Sequence, residues 1–149
     1  MNDDKPKDSA GSEPGYILDA QVGFVLRQAQ QRHTTIFASL MIDGLTPTQW
    51  AALAKLKEIG PSSQNLLGRL TAMDAATIKG VIDRLSKRGF TATKPDPADG
   101  RRLLVTLTEA GGALYAKAAP IAQRITEETL APLNERERAQ FIALLGRLI

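Results

Sequence analysis

The chain contains no cysteine, and His33 is its only histidine. Disulfides, thiolate metal sites and cysteine-oxidation switches are therefore excluded. A protein-only zinc site would have to draw most of its ligands from carboxylates, which is not how such sites are usually built. No metal and no other cofactor is expected. One histidine cannot supply a histidine-based catalytic pair, and neither a glycine-rich phosphate loop nor a nucleophile elbow occurs. The sequence therefore reads as a binding protein and not as an enzyme. No apolar run approaches the roughly 18 residues that span a bilayer. The first fifteen residues, rich in Asp, Lys, Ser, Pro and Gly, lack the apolar centre of a signal peptide. These absences predict a cytoplasmic protein with no membrane partner.

What is present is one domain's worth of chain, 149 residues with 43% hydrophobic content. Residues 1–15 read as a disordered tail and residues 16–149 as a single domain. The net charge of +3 says little, but its distribution is uneven. Between Leu66 and Val105 stand Arg69, Lys79, Arg84, Lys87, Arg88, Lys94, Arg101 and Arg102, against only Asp74, Asp83, Asp96 and Asp99. A basic centre between near-neutral arms suits either a solvated face or a nucleic-acid surface.

The elements follow from periodicity and punctuation. Leu18, Val22, Val25, Leu26, Ala29, His33, Ile36, Phe37 and Leu40 recur in steps of three and four, which predicts a helix over residues 16–42, broken by Asp43-Gly44. Thr46-Pro47-Thr48-Gln49 carries a capping box with proline at the first helical position. That helix ends at Gly60-Pro61, and a short one covers about 63–70. The next is capped by Asp74, buries Ile78, Val81, Ile82 and Leu85, and ends at Gly89. Residues 90–94 and 103–107 read as strands. Thr108 and Asn134 cap the last two helices, the first of which contains Pro120, expected to kink it.

Between the strands lies Lys94-Pro95-Asp96-Pro97-Ala98-Asp99-Gly100-Arg101-Arg102, a basic hairpin tip. A basic-tipped hairpin after an amphipathic helix is the wing of a winged helix-turn-helix, with the helix in the DNA major groove and the arginines near the minor groove. On four segments the chain resembles the MarR (multiple antibiotic resistance regulator) family of transcriptional regulators. These are Leu45-Thr46-Pro47-Thr48-Gln49, Ile82 through Phe90, the wing 96–102, and Val105 through Gly111. The resemblance implies a mainly α fold with a small β-hairpin wing, a reader module over about 45–108 and dimerisation helices over about 16–42 and 109–149. It also implies a homodimer on a double-stranded, palindromic DNA operator, released by a small-molecule effector.

Expected DNA contacts follow. Ala75, Ala76, Thr77 and Gly80 give the reading helix a small outer face that can approach base edges, with Lys79 at the groove or its rim. Gly80 costs helix stability with no packing gain visible in the sequence. Arg84 reads as a phosphate anchor, or as a partner of Asp83 or Asp99. Ser62, Ser63 and Gln64 suit phosphate binding, and Lys94 and Arg102 add unspecific attraction. Arg101 matches the family's minor-groove arginine and Asp99 the acid that orients its guanidinium. Thr93 departs from the arginine that many relatives carry at the end of the first wing strand. The family's ligand pocket, between the first, second and fifth helices, implies Arg27, His33, Phe37, Trp50 and Tyr115 as effector contacts, with Arg32 as a second source of counter-charge. A histidine among aromatic rings suits a small aromatic acid, phenol or related thioester, although an isolated histidine on an apolar face is also a common core residue. A winged-helix module that binds protein or RNA, without an inducer, is the competing reading. It would show an apolar or acidic reading face.

Overall fold

The structure, a computed structural model, describes residues 15–149. The tail expected over residues 1–15 lies outside them except for Gly15. The described residues divide into two units, one ending at Gln31 and one spanning Arg32–Ile149.

The first helical stretch differs from expectation. A 3₁₀ turn, Leu18–Ala20, is separated from helix α1, Val22–Leu40, by Gln21 in extended conformation. The apolar periodicity continues across the break, which is why the sequence reads as one helix. Helices α2 (Pro47–Ile59), α3 (Gln64–Leu70) and α4 (Ala75–Lys87) follow, then strands β1 (Thr91–Pro95) and β2 (Leu103–Leu107), and finally α5 (Glu109–Thr129) and α6 (Glu135–Gly146). The α5 helix runs unbroken through Pro120.

The caps read from the sequence at Thr46, Asp74, Thr108 and Asn134 are formed, and Ser63 adds one that was not read there. Thr46 and Gln49 close a reciprocal capping box, and so do Asn134 and Glu137. Ser63, Asp74 and Thr108 accept hydrogen bonds from the amides of Leu66, Thr77 and Gly111. Each bond satisfies an amide that a helix start leaves unpaired.

The strands pair antiparallel, with Thr93 opposite Val105, and β1 lies one residue later than expected. Gly89, at φ 81°, makes the turn out of α4, and Phe90 is spent on that turn, its amide donating to Leu85 O. Ser62 and Val105 form an isolated bridge that ties the α2–α3 junction to the wing. The core joins α2 (Leu53, Leu56), α3 (Leu67), α4 (Ile78, Val81, Ile82, Leu85), β2 (Val105) and α5 (Leu114, Ala118). Gly111 lets α5 approach closely, because a Cβ there would stand 2.0 Å from Phe90 O. No helix among the described residues is long and apolar enough to cross a membrane.

Candidate nucleic-acid interface and sensor site

Helix α4 turns Ile78, Val81, Ile82 and Leu85 into the core. Ala75, Ala76, Thr77, Lys79, Asp83 and Arg84 stay exposed, with Gly80 half-buried. The face is small and basic, as a major-groove helix requires. Lys79 donates to Asp83 at 2.8 Å, one helical turn on. That bond holds the Asp83 carboxyl below its ordinary pKa. Arg84 joins neither Asp83 nor Asp99, which corrects the expected pairing. Its guanidinium instead folds back over Gly80, with Nη1 3.2 Å from where a Cβ at that position would stand. At the helix start, Asp74 is held below its ordinary pKa chiefly by the hydrogen bond from the Thr77 amide.

The wing carries Lys94, Asp99, Arg101 and Arg102, all exposed. Among the described residues none of them is in an ion pair. The role expected of Asp99 needs correction. Its Oδ1 accepts from the Arg101 backbone amide at 3.1 Å, and its carbonyl accepts from Arg102 N. The acid shapes the turn that projects the arginines and leaves both guanidiniums unpaired. The reason is the two-residue spacing, which favours an Asx turn over a side-chain ion pair.

Ser62 also departs from expectation. It is buried, its hydroxyl donates to Gly60 O, and its backbone pairs with Val105, so it does not face a phosphate. Ser63 and Gln64 are half-buried and line a cleft of about 340 Å³ with Asn65, Arg69, Arg102 and Leu103. Asn65 was not singled out in the sequence, and Arg69 stood there only as one charge of the basic centre. The signal was a basic residue in the last turn of α3 whose neighbour across the cleft, Arg102, comes from the wing.

The sensor residues fall into two pairs. The His33 and Phe37 rings lie 6.4 Å apart and tilted. Trp50 and Tyr115 stack, nearly parallel, at 5.4 Å, joining α2 to α5. Arg27 lies over the ring of Phe24 at 6.0 Å. Arg32 is not the free counter-charge expected of it. It donates to the carbonyls of Glu128 and Thr129 at the C-terminus of α5, where a cation also suits the helix dipole. The partner that fixes His33 was not legible. Thr129, 96 residues away, places its hydroxyl 2.9 Å from Nδ1. That hydroxyl gives its one proton to Ile125 O, so it must accept from His33. An imidazole that donates to Thr129 through Nδ1 leaves its other ring nitrogen, Nε2, to face a ligand.

The MarR family model matches residues 45–103, from the start of α2 to the wing. The chain is 43% identical to the HTH-type transcriptional repressor NicR of Pseudomonas putida, over 90% of this chain and 85% of that protein. A probable transcriptional regulator from Pseudomonas aeruginosa superposes with a TM-score of 0.87 at 56% identity, covering 89% of this chain and all of that one. BpsR of Bordetella bronchiseptica, whose DNA binding is regulated by 6-hydroxynicotinic acid, superposes with a TM-score of 0.87 at 41% identity, covering 91% and 97% of the two chains. The chain belongs to the MarR family, and it is a DNA-binding transcriptional regulator.

Proposed function

We propose that the protein is a cytoplasmic repressor that a small aromatic acid, of the hydroxylated pyridine- or benzene-carboxylate class, releases from a pseudo-palindromic operator. Residues 45–108 serve as the reader and the terminal helices as the dimerisation frame. The observation that carries the sensor reading is His33. It is half-buried, lies beside the tilted Phe37 ring, and is held at Nδ1 by Thr129 so that Nε2 is left as an acceptor. A ligand hydroxyl or ring N–H supplies the matching donor, and the flat Trp50–Tyr115 stack supplies apolar surface for a ring. The relatives point the same way: NicR is a repressor, and BpsR responds to 6-hydroxynicotinic acid.

His33 bonds α1 to α5, so a ligand seated there acts on the junction between frame and reader. Release requires the ligand to prefer the arrangement in which the two reading helices no longer match successive major grooves. A coupling of about 1–3 kcal/mol makes a usable switch. The test is a thermal-shift screen of 6-hydroxynicotinate, nicotinate, 4-hydroxybenzoate and benzoate, followed by gel shift on a duplex selected by the protein from a random pool. We expect the hydroxylated acids to stabilise the protein and release the duplex. We expect His33→Ala to blunt the response at near-normal DNA affinity. A folded His33→Ala protein that responds as the parent does would reduce His33 to a core residue.

A further inference from the structure

The glycine in the middle of α4 has a neighbour that accounts for it. Gly80 lies four residues before Arg84, on the side of the helix away from Ile78, Ile82 and Leu85. Helical side chains lean toward the N-terminus and cover the preceding turn. The Arg84 side chain does this, and its guanidinium fills the volume that a side chain at position 80 would need. Nη1 is 3.2 Å and Cζ and Nη2 are each 3.9 Å from an ideal Cβ there. A Cβ at position 80 would require the fork to give by a few tenths of an ångström, and a longer side chain would require more.

Two further observations bear on what the fork is for. Asp83, the adjacent acid, is taken by Lys79 at 2.8 Å. Arg84 is exposed, and none of the ion pairs among the described residues includes it. Its donors are therefore presented to solvent from the reading face itself. An arginine extended sideways from a groove helix reaches the phosphate walls. One laid flat along the outward face stays over the groove floor, where the acceptors are base edges. A planar fork matches the O6 and N7 of guanine bidentately.

We propose that Arg84 reads a guanine in each operator half-site, and that Gly80 is a positioning residue whose missing side chain seats the Arg84 guanidinium against α4. This rests on α4 entering the major groove. The coupling predicts opposite signs for two measurements that a purely structural glycine would move together. Alanine in a helix interior is more favourable than glycine, so Gly80→Ala should raise or preserve thermal stability and leave the dimer intact. The same variant should weaken binding to the duplex selected by the parent by tenfold or more, and by more than it weakens binding to a random-sequence duplex.

The decisive experiment repeats the selection from the random pool with the parent, Gly80→Ala, Arg84→Ala and Arg84→Lys. The parent should enrich a guanine at one symmetric position, and all three variants should lose that preference. Adding Gly80→Ala to Arg84→Ala should cost nothing more, because the two act as one unit. If Gly80→Ala keeps the parent's preference and affinity, the proposal is overturned. If Arg84→Ala weakens selected and random duplexes equally, Arg84 is a phosphate anchor and the proposal is overturned. If the parent itself enriches no sequence, the underlying reading of α4 fails, an outcome distinct from either of these.

Discussion

Thr129 and His33 illustrate how a single hydroxyl can set the chemistry of a site. The hydroxyl is committed as a donor to Ile125 O, the bond that threonine in a helix commonly makes to the preceding turn. Its remaining capacity is to accept, and that fixes the imidazole. Because His33 is the only histidine, its ring nitrogens give a single, assignable NMR signature. We expect the Nδ1–H tautomer in the parent and a mixture of tautomers in Thr129→Val. That variant should also lose about 1 kcal/mol of stability for the hydrogen bond and respond more weakly to a hydroxylated ligand. An Nε2–H tautomer dominating in the parent would overturn the assignment. None of this was legible in the sequence, where Thr129 is one polar residue near a helix end, without a local signal toward His33. The same limit hid Arg84 over Gly80. Sequence spacing placed both on one ridge of the helix, but it could not tell that the arginine folds back and does not reach for Asp83 or Asp99. Gly111 is a plainer case. A Cβ there would overlap Phe90 O, a backbone atom with little freedom to move. Gly111→Ala should cost about 1–3 kcal/mol, the usual penalty of overpacking, read by chemical denaturation.

At the level of elements, the caps carried most of the information. Thr46, Asp74, Thr108 and Asn134 each begin a helix where the sequence places the start, because a cap is local chemistry within four residues. The misplaced boundaries lacked such a marker. Nothing in the run before Val22 announces the extended Gln21, and Phe90 is apolar enough to pass for a strand residue although its amide closes the end of α4. The Asp74 cap makes a pH prediction for the reading helix. Its folded pKa is depressed by the Thr77 amide, so its contribution is present in full above the ordinary aspartate value of about 3.9 and is lost as the pH falls through the lower folded value. Asparagine caps about as well but does not titrate. Thermal unfolding of the parent and Asp74→Asn should therefore run parallel near neutrality and diverge in acid, the parent losing more. Parallel curves throughout would show that the cap does not contribute to global stability.

For the whole molecule, the question is how two readers act together on one duplex. The basic side chains of the wing and α4 neutralise phosphates and release counterions, so operator affinity should fall steeply with salt. Arg101→Ala should weaken binding and flatten that dependence by about one unit of slope with the dimer unchanged, as titrations at several salt concentrations would show. Matching two half-sites about 10 bp apart requires a frame that fixes the spacing. The α6 helix is the clearest candidate for that frame. It has no buried residue within the chain, yet Phe141, Ile142, Leu144 and Leu148 stand 40 to 68% exposed on or just beyond it. An apolar surface left open by its own chain is covered most simply by the same surface of a second copy. Leu144→Glu therefore touches no core within the chain, and its effect reports on the dimer alone. We expect a variant that keeps its helical signal, sediments as a monomer at micromolar concentration, and binds the selected palindrome no better than a single half-site. If it stays dimeric and holds the operator as the parent does, α6 is not part of the frame, and the spacing must be set by the exposed apolar residues of α1.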